Sequence, residues 1–187
     1  RGTVYVYDNG SSDETAQTAR EAGAVVRTEA SPGKGGVVRR MFSEVDADIY
    51  VMADGDGTYE PSESVGLVTR LVADGLDMVV GIRTGVRDNA GRAGHALGNR
   101  LFNRLYRALF GSGFTDILSG YRAFSRRFVK NFPAVSSGFE IETEISVHAS
   151  QLHLPVAEMP VQYGQRPVGS ASKLRTVADG TNILKAM

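Results

Sequence analysis

Cysteine is absent from the 187 residues, which rules out disulfides, zinc–thiolate sites and thiol catalysis and leaves the redox compartment open. Net charge is absent too, because 21 basic residues balance 21 acidic ones. A general nucleic-acid binder needs a basic excess to neutralise phosphates, so no nucleic-acid partner is expected. Long apolar runs are missing; stretches such as Met78-Val79-Val80 are far too short to span a bilayer. The chain shows no internal repeat and no low-complexity tract. What is present is typical of a globular domain. Hydrophobic residues at 42% and charged residues at 22% exclude disorder and fibrous repeats, and the length suits one domain over residues 1–187. Arg1 is not an initiator methionine and residues 3–7 already read as a strand, so the N-terminus reads as cut or processed.

The β-branched and aromatic run at 3–7 stops at a cluster of turn and cap residues, Asp8-Asn9-Gly10-Ser11-Ser12-Asp13. Ser12 heads a helix over 15–22, and 24–28 is a second strand. Pro32-Gly33-Lys34-Gly35-Gly36 opens a helix to about residue 45, and 48–53 is a buried-type strand stopped by Asp54-Gly55-Asp56-Gly57. Pro61 starts a helix over 61–73 that Gly75 ends, and 77–81 is the next strand. Alternating strand and helix predicts an α/β fold with a mostly parallel sheet flanked by helices. Ligands of such sheets bind at the carboxyl ends of the strands, where Asp8, Asp54, Asp56 and Arg83 all fall. Helices over 94–110, 138–152 and 177–186 and a strand over 156–163 complete the reading.

Asp54-x-Asp56 is the most informative motif. Two carboxylates in a glycine-loosened turn can converge on one divalent cation and the diphosphate it binds. The bland alternative is an Asp-Gly turn, yet two acids at a sheet edge repel unless something cationic joins them. An EF-hand loop is excluded, because its sixth and twelfth positions would be Tyr59 and Val65. A haloacid dehalogenase-type phosphohydrolase is a stronger rival, since Asp54-Gly55-Asp56-Gly57-Thr58 matches its D-x-D-x-T motif. Against it, the next strand ends Val80-Gly81-Ile82-Arg83, and no later acidic pair of the required kind follows. Lys34 lies in a glycine turn that resembles a phosphate loop only superficially, with Gly35 and Glu29 where Ser or Thr and Gly are needed. What remains is a helix N-terminus suited to an anion, or equally a helix-capping turn.

Five segments in order then carry a resemblance: 4–15, Gly33-Lys34-Gly35, 53–61, Asp116-Ile117-Leu118-Ser119-Gly120-Tyr121-Arg122, and 166–174. Together they resemble the motifs of family 2 glycosyltransferases, nearest to the branch of dolichyl-phosphate mannosyltransferase and bacterial polyprenyl-phosphate transferases. The likeness covers nearly the whole chain. It implies a GT-A-type, Rossmann-like α/β fold and a single catalytic domain. It also implies inverting transfer from a nucleoside-diphosphate sugar with Mg²⁺ or Mn²⁺, and a lipid-phosphate acceptor on the cytoplasmic side of a membrane surface. By the same resemblance Asp8 meets the nucleotide base, Asp54 the ribose and diphosphate region, and Asp56 the metal, with Asp54 as its second ligand and Lys34 beside the donor. Arg83, Arg122, Arg166 and Lys173 fall near the acceptor phosphate, with Asp56, Arg83 and Arg122 as the catalytic set. The family's opening strand is missing, which implies a fragment and keeps open a nucleotide-sugar-binding module without turnover. Thr58 stands where the mannosyltransferase branch often has glutamine.

Other polar groups are read more plainly. Arg100, Arg104 and Arg107 form a stripe on the 94–110 helix, whose default reading is solvation, although arginines can snorkel onto headgroups. Leu97, Leu101, Leu105 and Leu109 recur on another face. Glu140 and Glu144 share a helix face and Glu142 points elsewhere; a carboxylate of this segment is the candidate base if the acceptor is a hydroxyl. His95, His148 and His153 lack ligand spacing and are structural by default.

Overall fold

The computed structural model describes residues 2–84, 93–111, 113–165 and 176–187. In its first half β1 (Tyr5–Asp8) and β2 (Val25–Thr28) pair in parallel across α1 (Thr15–Glu21). Glu14, rather than Ser12, is the N-cap of that helix, and just before it the Asp13 carboxylate accepts the Thr15 N–H at 3.1 Å and the Thr15 hydroxyl at 2.5 Å. There follow α2 (Lys34–Glu44), β3 (Ile49–Met52), a 3-10 turn (Pro61–Glu63) leading into α3 (Ser64–Ala73), and β4 (Met78–Thr84). Glu60 caps the 3-10 turn by accepting the Ser62 N–H at 3.4 Å, and it also accepts the Ser62 hydroxyl at 3.0 Å. The second half adds α4 (Ala93–Phe110), β5 (Arg122–Ser125), α5 (Arg126–Asn131), α6 (Ile141–Gln151), β6 (Val156–Gln162) and α7 (Thr176–Ala186).

The α/β class holds, but the sheet is mixed. The larger sheet has the order β3-β5-β4-β6, with β4 and β6 parallel and β5 antiparallel to both β3 and β4. β5 escapes a sequence reading because Arg-Ala-Phe-Ser holds no β-branched residue, unlike the equally short β1, β2 and β3, and the strand passes straight into α5 at the Ser125 cap. Among the described residues no backbone ladder joins β1–β2 to this sheet. Side chains make that link. The Tyr7 hydroxyl donates to Glu44 of α2 at 2.9 Å, and Asn9 reaches the turn before α2.

The pleat of β4 and β5 sorts the core onto two faces. Met78, Val80 and Phe124 face one side and pack with Phe42, Tyr106, Phe114, Phe128, Ile141 and Ile145 beneath α2, α4, α5 and α6. Val79 and Ala123 face the other and meet Leu67 and Leu71 of α3 with Tyr59, Tyr121 and Val161. α4 turns Tyr106 inward, where its hydroxyl donates to the Ser146 carbonyl at 2.7 Å, and leaves Leu101 and Leu109 in solvent. No helix among the described residues is long and apolar enough to cross a membrane.

Candidate active site at the carboxyl edge

Gly33 and Gly35 seat the start of α2 against the 136–137 loop. The Gly35 N–H donates to the Ser137 carbonyl at 3.0 Å, and a Cβ on Gly35 would lie 2.1 Å from the Ser136 carbonyl oxygen. One on Gly33, whose φ is +122°, would lie 2.2 Å from that of Ser137. Only glycine allows this approach. The turn is therefore a docking joint: a loop carbonyl takes the donor that an open anion cradle would offer. What the turn does is aim Lys34. The Lys34 ammonium donates to both Asp54 Oδ1 and Glu142 Oε1, with its side chain 17% exposed and that of Glu142 7% exposed. Burial works against the lysine's charge, yet the Glu142 and Asp54 carboxylates outweigh it and raise its pKa, so the amine stays charged. Burial pushes the Glu142 carboxyl up, with Lys34 opposing and Asp54 reinforcing.

Asp54 follows β3 and lies flat against Gly120. A Cβ there would sit 2.5 Å from Asp54 Oδ2, so the missing side chain is what makes room for the carboxylate. Behind Gly120 its N–H donates to the Tyr59 hydroxyl at 3.2 Å. Gly120→Ala is expected to displace Asp54 and to lower nucleotide binding or turnover on the order of a hundredfold, with the melting temperature changed far less. Calorimetry with UDP and a thermal melt check this; unchanged binding would show that Asp54 has no donor role. Asp56 is fixed by Thr58, whose N–H and hydroxyl donate to Oδ1 at 3.2 and 2.5 Å. Thr58 is thus the support of Asp56. Among the described residues no group of three or more His, Cys, Asp or Glu side chains could hold a metal alone. Two hard carboxylates do fit a Mg²⁺ or Mn²⁺ arriving with a diphosphate, since such ions take one or two protein carboxylates and complete their shell from phosphates and water.

The four cations expected at the acceptor do not share one situation. Arg83 lies on the site edge, forked onto Asp116 through Nε at 2.8 Å and Nη2 at 2.7 Å, with its guanidinium 5.6 Å from the centre of the Tyr163 ring. Arg122 corrects the sequence reading. It is fully buried: Nε donates to the Ser119 carbonyl at 2.8 Å, Nη2 to the Ile117 carbonyl at 2.6 Å and Nη1 to the Ser146 hydroxyl at 2.9 Å. So placed, it offers an acceptor no surface; it braces the 117–119 turn that presents Gly120. Arg166 and Lys173 lie outside the described residues. Asp8 ends β1, where its carboxylate accepts the Ser11 N–H at 3.1 Å.

Three positioning residues went unread in the sequence. Asn9 ties the Asp8 loop to the Lys34 turn, its side-chain oxygen accepting the Gly33 N–H at 2.9 Å and its amide donating to the Glu29 and Ser31 carbonyls at 2.8 Å. Its sequence signals were membership of a turn cluster and of the 4–15 resemblance segment, neither of which gave it a role. Glu142 was set apart from Glu140 and Glu144, yet it is the one that reaches the site. Glu144 instead accepts the Val135 and Ser136 N–H groups at 2.7 Å, and Glu140 accepts that of Gly138 at 3.0 Å. Gly120 was read as part of the resemblance segment over 116–122, with no role of its own.

The family model described as glycosyl transferase family 2 matches residues 3–132. Glycosyltransferase AglJ of Haloferax volcanii is 38% identical over 95% of this chain and 59% of its own length, so the chain spans well under two thirds of that relative. A dolichyl-phosphate hexose transferase of the same organism is 30% identical over 96% of this chain and 77% of its own. Among solved structures, glucosyl-3-phosphoglycerate synthase from Mycobacterium tuberculosis superimposes with a TM-score of 0.79 at 23% identity, over 97% of this chain and 66% of that one. Its complex with Mn²⁺ and UDP-glucose gives 0.70 at 26% identity, over 88% and 61%. These likenesses match the GT-A-like arrangement of strands and helices, and residues 54–58 lie inside the stretch matched by the glycosyltransferase model, whereas no haloacid dehalogenase likeness stands beside it. The chain belongs to glycosyltransferase family 2.

Proposed function

We propose that this chain forms the donor-binding and catalytic part of an inverting transferase that moves a sugar from a nucleoside diphosphate to a polyprenyl phosphate at a membrane surface. The observation that carries the donor half is the Lys34–Asp54 ion pair beside Asp56 at the carboxyl edge of a family 2 chain. The Mn²⁺ and UDP-glucose complex of the M. tuberculosis relative supports a metal-assisted donor, and the dolichyl-phosphate hexose transferase supports a lipid phosphate. In this reading Asp8 meets the base, Lys34 and Asp54 the ribose and diphosphate, and Asp54 and Asp56 the metal. A bound Mg²⁺ or Mn²⁺ supplies charge neutralisation for the leaving diphosphate. Lys34 adds a preorganised ammonium at the same corner. An acceptor phosphate oxygen forms a bond to the anomeric carbon from the face opposite the diphosphate, and the bond to the diphosphate breaks with its electron pair. The attacking oxygen is already ionised at neutral pH, so no general base is required. Arg83, with Arg166 and Lys173, receives the acceptor phosphate; Arg122 does not.

Support for the membrane comes from α4, where the exposed Leu101 and Leu109 stand among the exposed Arg100, Arg104 and Arg107, with no acidic residue in the helix. Leucines in solvent beside cations suit an anionic lipid surface better than water alone. Fully burying one leucine is worth about 1.5–3 kcal/mol, so Leu101→Glu with Leu109→Glu should lower co-sedimentation with anionic vesicles about tenfold or more. The decisive assay offers UDP- and GDP-sugars with Mn²⁺ and a polyprenyl phosphate in vesicles. Label is expected in the lipid, and chelator should abolish it. Arg83→Ala should cost about ten- to a hundredfold in acceptor use with donor binding little changed. Transfer to soluble acceptors alone would overturn the lipid half of the proposal.

A further inference from the structure

Lys34, Asp54 and Glu142 hold one positive and two negative charges, and Asp56 adds a third negative charge close by in sequence. Such a corner has room in its charge balance for a divalent cation but not for the loss of its lysine, because a diphosphate arriving with that cation brings further negative charge. Were Asp54 to hold a metal, its Oδ1 would have to be given up by the Lys34 ammonium already on it. The released lysine needs somewhere to stay. Glu142 offers that place. It projects from the first turn of α6 into the site, is 5% exposed, and holds the same ammonium through Oε1. Behind it the Arg122 cation offsets its charge, and its own carbonyl accepts the Ser146 hydroxyl at 3.0 Å, the hydroxyl that also receives Arg122 Nη1.

We infer that Glu142 is a positioning residue for the donor: it anchors Lys34 so that the ammonium, displaced from Asp54 by the metal, remains at the corner and turns to the diphosphate. The inference rests on the donor reading above. Glutamine at 142 keeps the shape and an acceptor oxygen but removes the charge, so Lys34 would hold Asp54 as its only carboxylate partner and yield it less readily to a metal. Without the anchor the freed side chain would also recover its rotamer freedom, which opposes a fixed contact with the diphosphate.

The test is a double-mutant cycle in this chain, with UDP plus Mn²⁺ as probe, titrated by calorimetry, and a thermal melt on each variant. Glu142→Gln should weaken UDP–Mn²⁺ binding about tenfold, the size of losing one charge-assisted contact, with little change in melting temperature. Lys34→Gln should weaken it at least as much, and the double variant should bind no worse than Lys34→Gln alone. Equal or tighter binding in Glu142→Gln overturns the inference. So do additive losses, which would mean that Glu142 touches the donor or acts on the metal independently of Lys34. If the unaltered chain binds no UDP with Mn²⁺, the donor reading falls and this inference falls with it; if that chain binds and only the cycle fails, the donor reading stands.

Discussion

Asp56→Ala is expected to remove the metal-dependent part of nucleotide binding and to lower transfer about a hundred- to a thousandfold, the range seen when one preorganised electrostatic group is deleted from an active site. The carboxylate is not a loosely tethered surface acid. Thr58, 3% exposed, pins it through two donors, so Asp56 is held at the edge before any ligand arrives. In the proposed reading, truncation removes one of the two carboxylates assigned to the metal, and the described residues contain no group of three or more potential ligands to take over. Calorimetry should show UDP binding more tightly with Mn²⁺ than with chelator in the unaltered chain, and no such difference in Asp56→Ala. Thr58→Val, which keeps the volume and loses the hydroxyl, should give a smaller loss of the same kind. Binding that is metal-independent in both proteins would refute the metal role of Asp56.

Arg122→Ala is expected to destabilise the fold by about 3–5 kcal/mol, the cost of breaking a buried charge network by removing one partner. Two carbonyls and the Ser146 hydroxyl would lose their donors, and Glu142 would lose the cation behind it. For a chain of this length each kcal/mol moves the melting temperature by roughly 2–4 °C, so the drop should be unmistakable in a thermal scan. Lysine would not restore it, because one ammonium cannot span the Ile117 and Ser119 carbonyls and Ser146 at once. The outcome separates the two readings of this arginine. A variant that melts normally, binds nucleotide and fails only with the acceptor would return Arg122 to the acceptor site.

The α/β order of the first half was legible because its strands are β-branched runs of ordinary length punctuated by Asp-Gly, Pro and Gly signals. The carboxyl edge was legible with it, since every strand of an α/β unit delivers its following loop to the same side. Asp54 and Asp56 could therefore be singled out from spacing alone, and the family could be read from five ordered motifs. β5 could not, because Arg-Ala-Phe-Ser lacks the β-branched residues that marked the equally short β1, β2 and β3, and its antiparallel insertion between β3 and β4 is a long-range choice. Glu142 could not either. Helical spacing correctly set it apart from Glu140 and Glu144, but which face of a helix meets a site 88 residues earlier, at Asp54, is fixed by packing and not by period.

Arg122 draws the same boundary from the other direction. Its sequence context, a cation after a Ser-Gly turn, is the same whether the guanidinium points to solvent or inward. The tertiary structure decided, because three acceptors from residues 117, 119 and 146 converge where the side chain can satisfy them out of water, and a buried cation is tolerable only with such partners. The sequence by itself determined the class of the fold and the edge at which Asp54 and Asp56 fall, since these depend on local chain chemistry. Tertiary structure alone decided which carboxylates hold Lys34, which glycine makes room for Asp54 and which arginine is buried, since each depends on distant segments meeting within a few ångströms.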